Sequence, residues 1–260
     1  IPATAFFWLA TEDHDFDEVA TLNLPVSLVA KEKNVDRRRD LVCTRAARAA
    51  DARSVVGLLP VPESLTTSLL GLLDMPRPGW LREGIDFRDS FAELIAALFG
   101  SEVVLVDALL PELRRAGAPL FDRIQGRRDE IQQTLRRRGG ELEAEGYREQ
   151  VVPHDGDEYT LLFALDERNR RVALPPGASF DPARISTSAI TRPLLQDFVV
   201  QPDIFVGGPA EVAYYAQIGA LHELLEVAMP RVALRGHLLV ATPRVVRNIE
   251  RWQIDPAMVF

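Results

Sequence analysis

Only one cysteine occurs in the 260 residues, and long hydrophobic runs are absent. Because Cys43 has no second cysteine to pair with, the sequence excludes a small domain held together by disulfide bonds, and it fits a reducing compartment. No apolar run approaches the roughly 18 residues that a membrane-spanning helix needs. A basic segment followed by an apolar stretch and a small-residue cleavage site is also missing. We therefore expect a cytoplasmic protein without a membrane partner.

Basic residues are fewer than acidic ones, 30 against 38, which gives a net charge of −8 at pH 7. This balance argues against a nucleic-acid partner, because such proteins usually carry a positive surface. Hydrophobic residues make up 47% of the chain and charged residues 26%, as in ordinary globular proteins. The length fits one large domain or a core that carries an insertion.

Short apolar runs alternate with amphipathic segments, a pattern typical of a parallel α/β sheet. Residues Phe87–Phe99 have apolar side chains at helical spacing, and Gly100 is a typical helix stop. Further helices are predicted at Pro111–Ala116, Arg192–Val200, Glu211–Val227 and Thr242–Trp252. Strands are predicted at Ala3–Ala10, Leu24–Ala30, Glu102–Asp107, Asp203–Val206 and Pro230–Leu234. The expected fold class is α/β.

The middle of the chain has a different pattern. Residues Phe121–Tyr147 predict a long charged helix that is broken at Gly139-Gly140. Thr160–Leu165 and Arg171–Leu174 predict a hairpin around a polar turn. We therefore expect three parts of one core at 1–34, 85–124 and 185–260, a connecting segment at 35–84 and an insertion at 125–184.

The first candidate site is the acidic cluster Glu12-Asp13-His14-Asp15, which directly follows the first predicted strand. Ligands bind at the carboxyl ends of strands in open parallel sheets, and carboxylates beside an imidazole can transfer protons. The alternative is a helix start that Thr11 or Asp13 caps. Neither an HxH nor an HExxH spacing is present, so no metal site is predicted.

The second candidate site is the turn that contains Gly207 and Gly208, followed by Glu211 and Tyr214. Glycines let the backbone approach a ligand closely, and a helix start favours anions. The turn matches neither GxGxxG nor a Walker loop, so a purely structural turn is the alternative. Glu211 either bonds ligand hydroxyls or an amine, or is an acid that stabilises the helix start.

The third candidate site comprises Arg192, Gln196 and Asp197 on a predicted helix. An arginine near a helix start opposes the helix dipole, which indicates another reason for its presence. Its guanidinium can bind a carboxylate or phosphate with two parallel hydrogen bonds. The alternative is a surface ion pair between Arg192 and Asp197.

These motifs together resemble those of a known family. The stretches are Phe7–Phe16 (FWLATEDHDF), Thr191–Asp197 (TRPLLQD), Val206–Pro209 (VGGP) and Glu211–Tyr214 (EVAY). In this order and separation they resemble the signatures of the bacillithiol biosynthesis cysteine-adding enzymes, a family of cysteine ligases. Residues Phe99–Phe121 resemble the stretch between them, so the resemblance spans most of the chain.

The resemblance implies a Rossmann-like parallel sheet core with inserted connecting segments, distantly like class I aminoacyl-tRNA synthetases. It implies a ligase that joins cysteine to the amine of glucosaminyl-malate, the last bond of the thiol bacillithiol. ATP is a possible activator, and no metal is implied. A C-terminal coiled coil would make the full-length protein a homodimer.

With this reaction in view, we assign hypothetical roles to the candidate residues. Asp13, His14 and Asp15 would bind the amine substrate and remove a proton from its ammonium group. The expected substrate contacts are Glu12, Arg192, Gln196, Asp197, Gly207, Gly208, Glu211 and Tyr214. Among them, Arg192 would hold the carboxylate of malate. We expect all three candidate sites to meet at one sheet edge.

The sequence departs from the family pattern in several places. The glycine-rich segment that starts Gly-Gln-Gln and the coiled coil are not found, so we expect an internal fragment that is inactive by itself. Ala210 and Tyr215 stand where the family pattern has Gly and Trp. The alternatives are a divergent Rossmann enzyme of nucleotidyl or glycosyl transfer, and a catalytically inactive binding module.

Overall fold

The computed structural model describes residues 3–12, 21–22, 41–42, 54–61, 63, 66–67, 70, 76–152, 161–237 and 243–255. Its strands are β1 (Ala5–Leu9), β2 (Thr21–Leu22), β3 (Leu41–Val42), β4 (Val103–Asp107), β5 (Leu162–Leu165), β6 (Arg171–Ala173), β7 (Ile185–Thr187), β8 (Ile204–Gly207) and β9 (Arg231–Leu234). Its helices are α1 (Phe87–Phe99), α2 (Pro111–Ala116), α3 (Ala118–Gly126), α4 (Arg128–Ala144), α5 (Thr191–Val200), α6 (Pro209–Leu224) and α7 (Pro243–Trp252). None of the helices in these ranges is both long enough and apolar enough to cross a membrane.

Two pairs of parallel strands confirm the α/β prediction. Strand β1 pairs with β4, with Ala5 opposite Val103 and Leu9 opposite Asp107. Strand β8 pairs with β9 in the same parallel sense. Parallel neighbours need a long crossover connection, and α6 supplies it between β8 and β9. The strand predicted at Leu24–Ala30 lies outside the described residues.

An antiparallel sheet occupies the middle of the chain, with strand order β6-β5-β7. The predicted hairpin is confirmed, since Phe163 lies opposite Ala173 and Leu165 opposite Arg171. Strand β7 was not predicted, because three residues are too short for a periodic signal. All three of its residues are buried. The third strand completes a sheet whose buried face belongs to the main core.

The predicted ends of α1 are also confirmed. The side chain of Asp86 accepts a hydrogen bond of 2.7 Å from the backbone N–H of Asp89, which caps the start of the helix. Gly100 ends the helix with a φ of 57°, a left-handed conformation that is costly for residues with a Cβ. The turn after Gly100 leads directly into β4.

The predicted break at Gly139-Gly140 is wrong. Helix α4 continues through both glycines, and the break lies at Arg127, whose φ of −119° and ψ of 27° separate α3 from α4. Gly139 has a packing role: a Cβ there would lie 2.5 Å from Oε2 of Glu149 and 3.4 Å from Nε2 of Gln217. The glycine therefore lets another part of the chain pass close to the helix.

The main core lies between α3, α4, α5, α6 and the antiparallel sheet. The predicted apolar face of α6 is buried at Tyr215, Ile218 and Leu221. The fully buried large side chains include Phe121, Leu120, Ile124, Ile131, Leu135, Ile185, Leu194, Leu195 and Leu225. This core fixes the positions of α5 and α6, which carry two of the three candidate sites.

The turn of the hairpin should make the stability of the protein depend on acidic pH. Asp166 accepts hydrogen bonds from the backbone N–H groups of Arg170 and Arg168 and from Nε of Arg170. The backbone bond from Arg170 is the main cause that lowers the pKa of Asp166 from 3.8 to about 2. Because the pKa is lower in the folded protein than in the unfolded chain, the ionised Asp166 stabilises the folded state at pH values above its ordinary pKa. This contribution is lost as the pH falls through about 2.

We therefore expect Asp166→Asn to weaken the dependence of the free energy of unfolding on pH between about 4 and 2. Urea unfolding of both proteins at several pH values measures this. The wild-type protein should be the more stable one at neutral pH, and the difference should shrink as the pH falls. Parallel pH curves would contradict the assignment.

Candidate functional site

A cavity of about 280 Å³ is formed by residues of α5, β8, the first turns of α6 and two neighbouring loops. Its polar lining residues are Gln150, Arg192, Gln196 and Glu211. Its other lining residues are Ala189, Pro193, Phe205, Ala210, Tyr214 and Tyr215. Aromatic walls with a few polar groups are typical of small-molecule sites. The cavity lies beside strand β8 and the first turns of α6, a common ligand position in α/β sheets, but the predicted contacts Gly207 and Gly208 are not among its lining residues.

The glycine turn of the second candidate site is tightly packed. A Cβ at Gly207 would lie 2.6 Å from Cε1 of Phe205, and one at Gly208 would lie 3.0 Å from Nη2 of Arg235. Glu211 Oε2 accepts a hydrogen bond from the backbone N–H of Gly208 and lies 4.0 Å from Nη1 of Arg235. The carboxylate of Glu211 therefore caps the start of α6, and its side chain also lines the cavity, so its contact with a ligand stays a prediction.

The third candidate site is divided between the cavity and the core. Arg192 and Gln196 line the cavity and are half-buried, whereas Asp197 is completely buried on the inner face of α5. Asp197 Oδ2 accepts hydrogen bonds from the hydroxyl of Tyr215 at 3.0 Å and from Nε2 of His222 at 2.9 Å. The predicted surface pair between Arg192 and Asp197 is therefore replaced by a buried network.

Tyr215 joins this network to the cavity. Its ring stacks on Phe205 with centroids 4.5 Å apart and an angle of 28° between the planes, and both rings line the cavity. Burial raises the pKa of the Tyr215 hydroxyl well above its ordinary value, and the carboxylate of Asp197 adds to this shift. The hydroxyl therefore keeps its proton at neutral pH and donates a hydrogen bond to Asp197.

The first candidate site begins with a buried anchor. Glu12 is 2% exposed, and its Oε2 accepts hydrogen bonds from Nη2 of Arg114, the hydroxyl of Ser186 and the backbone N–H of Thr187. Its Oε1 accepts a bond of 2.6 Å from the hydroxyl of Thr187. The hydroxyl of Thr11 donates to Oδ1 of Asp107 at 2.5 Å. Glu12 thus ties the end of β1 to α2 and β7.

The predicted residues Asp13, His14 and Asp15 lie outside the described residues, and their contacts are not assigned. Glu12, the residue before them, is bonded to Thr187. Thr187 and the cavity residue Ala189 are two residues apart, which is at most about 7 Å along the chain. That the acidic cluster meets the second and third candidate sites stays a prediction.

The amide, aromatic and imidazole side chains at or behind the cavity that were not predicted as site residues belong to Gln150, Phe205, Tyr215 and His222. Tyr215 and His222 lie two helical turns apart, so they share one face of α6, and this spacing was visible in the sequence. Gln150 had no such signal, because the buried side chain of Gln217 holds its position. Long-range contacts of this kind leave no local pattern.

The cavity presents a guanidinium, a carboxylate, two amides and aromatic rings to one small volume. A guanidinium binds carboxylates well, and aromatic rings pack against apolar faces of a ligand. The arrangement therefore suits an organic anion that also carries hydroxyl or amino groups. Among the described residues, no group of three or more His, Cys, Asp or Glu side chains could hold a metal ion.

Comparisons with known proteins identify the family of the chain. The family model described as "Bacillithiol biosynthesis BshC, N-terminal Rossmann-like domain" matches residues 2–179 and 173–236. This match confirms the Rossmann-like fold class. It also covers the strand–helix segments that carry the three candidate sites.

Curated relatives carry the name "Putative cysteine ligase BshC". The relative from Koribacter versatilis is 30% identical over 95% of this chain and 49% of its own length. Those from Solibacter usitatus and Bacillus cereus are each 28% identical, over 100% and 88% of this chain and 52% and 46% of their own lengths. The chain thus spans about half the length of these relatives. It belongs to the BshC family of bacillithiol biosynthesis and carries the Rossmann-like domain of that family.

Proposed function

We propose that the full-length protein joins cysteine to the amine of glucosaminyl-malate. An amide bond forms between the carboxylate carbon of cysteine and the amine nitrogen, and the elements of water leave. The cavity carries this proposal, because Arg192 and Glu211 line it together with the rings of Tyr214 and Tyr215. The family membership of the chain supports the reaction class.

The substrate contacts follow from the chemistry of the lining residues. The guanidinium of Arg192 would bind a carboxylate of the malate group with charge-assisted hydrogen bonds. Glu211 and Tyr214 would orient sugar hydroxyls, and Gln196 would donate or accept beside them. Gly207 and Gly208 do not line the cavity, and in this proposal they shape the tight turn that places Ala210 and Glu211 beside the ligand.

We propose further that Asp13, His14 and Asp15 bind the ammonium group of the amine substrate and remove its proton. An amine attacks a carboxyl carbon only as the free base, so a nearby carboxylate or imidazole assists the reaction. The buried anchor at Glu12 supports this assignment. Glu12 is bonded to Thr187, which is two residues from the cavity residue Ala189.

The carboxylate of cysteine needs activation before an amine can attack it, and ATP is the candidate activator. The cavity does not fit a triphosphate. The carboxylate of Glu211 already occupies the start of α6, where helix N–H groups otherwise bind phosphate. Among the residues that line the cavity, Arg192 is the one cationic side chain. No step through ATP is assigned to these residues.

The test is to incubate the full-length protein with glucosaminyl-malate and cysteine, with and without ATP, and to detect bacillithiol by mass spectrometry. Formation of the thiol supports the proposal, and its absence under both conditions overturns it. Formation of an adenylate without thiol would instead favour nucleotidyl transfer. Residues 1–260 alone should be inactive, and sedimentation of the full-length protein should show a dimer.

Arg192→Ala should raise the KM for glucosaminyl-malate by about 10- to 100-fold, since a hydrogen bond to a charged group contributes about 1.5–3 kcal/mol. The KM for cysteine should change much less, because the guanidinium is assigned to the malate carboxylate. Steady-state kinetics with each substrate varied in turn measures both values.

Arg137→Ala is the matched control, because Arg137 lies on α4 in an exposed pair with Glu141. This variant should keep both KM values. Arg192→Lys should fall between the wild-type protein and Arg192→Ala, since lysine keeps the charge but not the planar fork. Equal KM values for Arg192→Ala and Arg137→Ala would remove Arg192 from the substrate site.

A further inference from the structure

The buried network behind the cavity contains three titratable side chains whose purpose the proposed reaction does not explain. Asp197 is completely buried, and Tyr215 and His222 are each 2% exposed. A buried carboxylate is costly unless donors surround it, and here Oδ2 receives both donors. Within the described residues, Oδ1 of Asp197 has no hydrogen-bond partner. Tyr215 and His222 therefore both hold the carboxylate of Asp197 through the same oxygen.

The imidazole of His222 is fixed at both of its nitrogens. Nε2 lies 2.9 Å from Oδ2 of Asp197, and Nδ1 lies 3.4 Å from the carbonyl oxygen of Ile218, one turn earlier on α6. Both neighbours are acceptors, so the ring is oriented as a donor toward Asp197. The ring of Tyr215 is also close, with its centroid 6.0 Å from that of His222.

The contacts lead from His222 to the cavity in two steps. The carboxylate of Asp197 holds the hydroxyl of Tyr215, and the ring of Tyr215 stacks on Phe205. Tyr215 and Phe205 line the cavity, whereas His222 is not among the described residues that do so. Any effect of His222 on a ligand therefore passes through Asp197 and Tyr215.

We infer that His222 is a positioning residue that, through Asp197, fixes the rings of Tyr215 and Phe205 as one wall of the substrate cavity. This inference rests on the proposed function where it names glucosaminyl-malate as the ligand. The wall orients the apolar face of the sugar ring, and the N–H of His222 keeps the carboxylate of Asp197 turned toward Tyr215. Loss of that N–H lets the carboxylate rotate and releases the hydroxyl of Tyr215.

The first test compares His222→Leu, which lacks a donor, with His222→Gln, whose side-chain amide can still donate to Asp197. His222→Leu should raise the KM for glucosaminyl-malate about tenfold, equivalent to about 1.4 kcal/mol, and change kcat by less than about twofold. His222→Gln should restore most of the affinity. If His222→Leu does not fold, His222→Asn replaces it, because its shorter amide does not reach Asp197.

Ile131→Val is the matched control for a general loss of stability, since Ile131 is fully buried in α4 and does not line the cavity. It should keep the wild-type KM. A KM for His222→Leu that equals the values of His222→Gln and Ile131→Val would overturn the inference. A fall in kcat with an unchanged KM would also overturn it, because it would place His222 in the chemical step.

The second test does not need activity, so it separates this inference from the proposed function. The protein is labelled with 3-fluorotyrosine, and Tyr215→Phe identifies the fluorine resonance of Tyr215. His222→Leu should shift or broaden this resonance, and His222→Gln should do so much less. An unchanged resonance in His222→Leu would overturn the inference even if the enzyme forms bacillithiol. A shifted resonance would support the positioning role of His222 even if no thiol forms.

Discussion

Replacing Glu12 by leucine should lower the free energy of unfolding by about 3–5 kcal/mol, as removal of one partner from a buried ion pair usually does. Arg114 is completely buried, and its Nη2 bonds to Glu12 at 3.1 Å. Among the described residues its Nε and Nη1 have no hydrogen-bond partner. Loss of Glu12 would therefore leave a guanidinium in the core without the carboxylate that balances its charge.

Arg114→Met should cost less than Glu12→Leu, because Glu12 would keep its hydrogen bonds to Ser186 and to both the N–H and the hydroxyl of Thr187. The double variant should be no less stable than Glu12→Leu alone, since neither charge is then left unbalanced. Urea unfolding monitored by circular dichroism gives the three values. If the loss of stability in the double variant equalled the sum of the losses in the two single variants, the interaction between Glu12 and Arg114 would be contradicted.

Arg115→Met is the matched control, because Arg115 is the next residue on α2. Its pair with Glu112 is solvent-exposed, with side-chain exposures of 60% and 79%. Such pairs contribute little, so the change in the free energy of unfolding should stay within about 0.5 kcal/mol. A large effect at Arg115 would mean that substitution on this helix is itself destabilising.

Gln217→Met should lower the free energy of unfolding by about 2–4 kcal/mol. The side chain of Gln217 is completely buried. Its Oε1 accepts hydrogen bonds of 2.8 Å from the backbone N–H groups of Gln150 and Val151, and its Nε2 donates to the carbonyl oxygen of Val151 at 2.7 Å. Methionine has a similar length but can replace none of these bonds, so three backbone groups lose their partner.

The same variant should also affect the cavity, because Gln150 lines it. The KM for glucosaminyl-malate should rise, while urea unfolding reports the loss of stability. Gln125→Met is the control, since Nε2 of Gln125 makes one exposed bond of 3.5 Å to the carbonyl oxygen of Pro175. If Gln217→Met and Gln125→Met had the same free energy of unfolding, the bonds from Gln217 to Gln150 and Val151 would not stabilise that loop.

The sequence predicted the elements that depend on local pattern. Helix α1 and strand β4 were predicted nearly to the residue, because a helical stripe and a terminal glycine agree there. Gly139 was interpreted as a break because glycine weakens helices. The helix continues through it, and Glu149 and Gln217 pack close to this position, a tertiary contact that has no local signal.

The candidate site was likewise predicted where it depends on local motifs and missed where it depends on tertiary contacts. Arg192, Glu211 and Tyr214 were predicted from motifs, and the structure brings them to one cavity. Asp197 was placed among the substrate contacts, whereas its side chain points into the core toward His222. A carboxylate in a motif looks the same in either position, because a sequence does not show which buried donors surround it.

The anchor at Glu12 also has a consequence for synthesis of the protein. Glu12 and Thr187 are 175 positions apart, so the ribosome adds the acceptor of this contact long before its donors. At about 5–20 residues per second the delay is about 9–35 s. Strand β1 also precedes its partner β4 by about a hundred residues. Until β4 and Thr187 have been synthesised, the aromatic strand β1 lacks its native neighbours. A chaperone that binds apolar segments would protect the nascent chain at this stage.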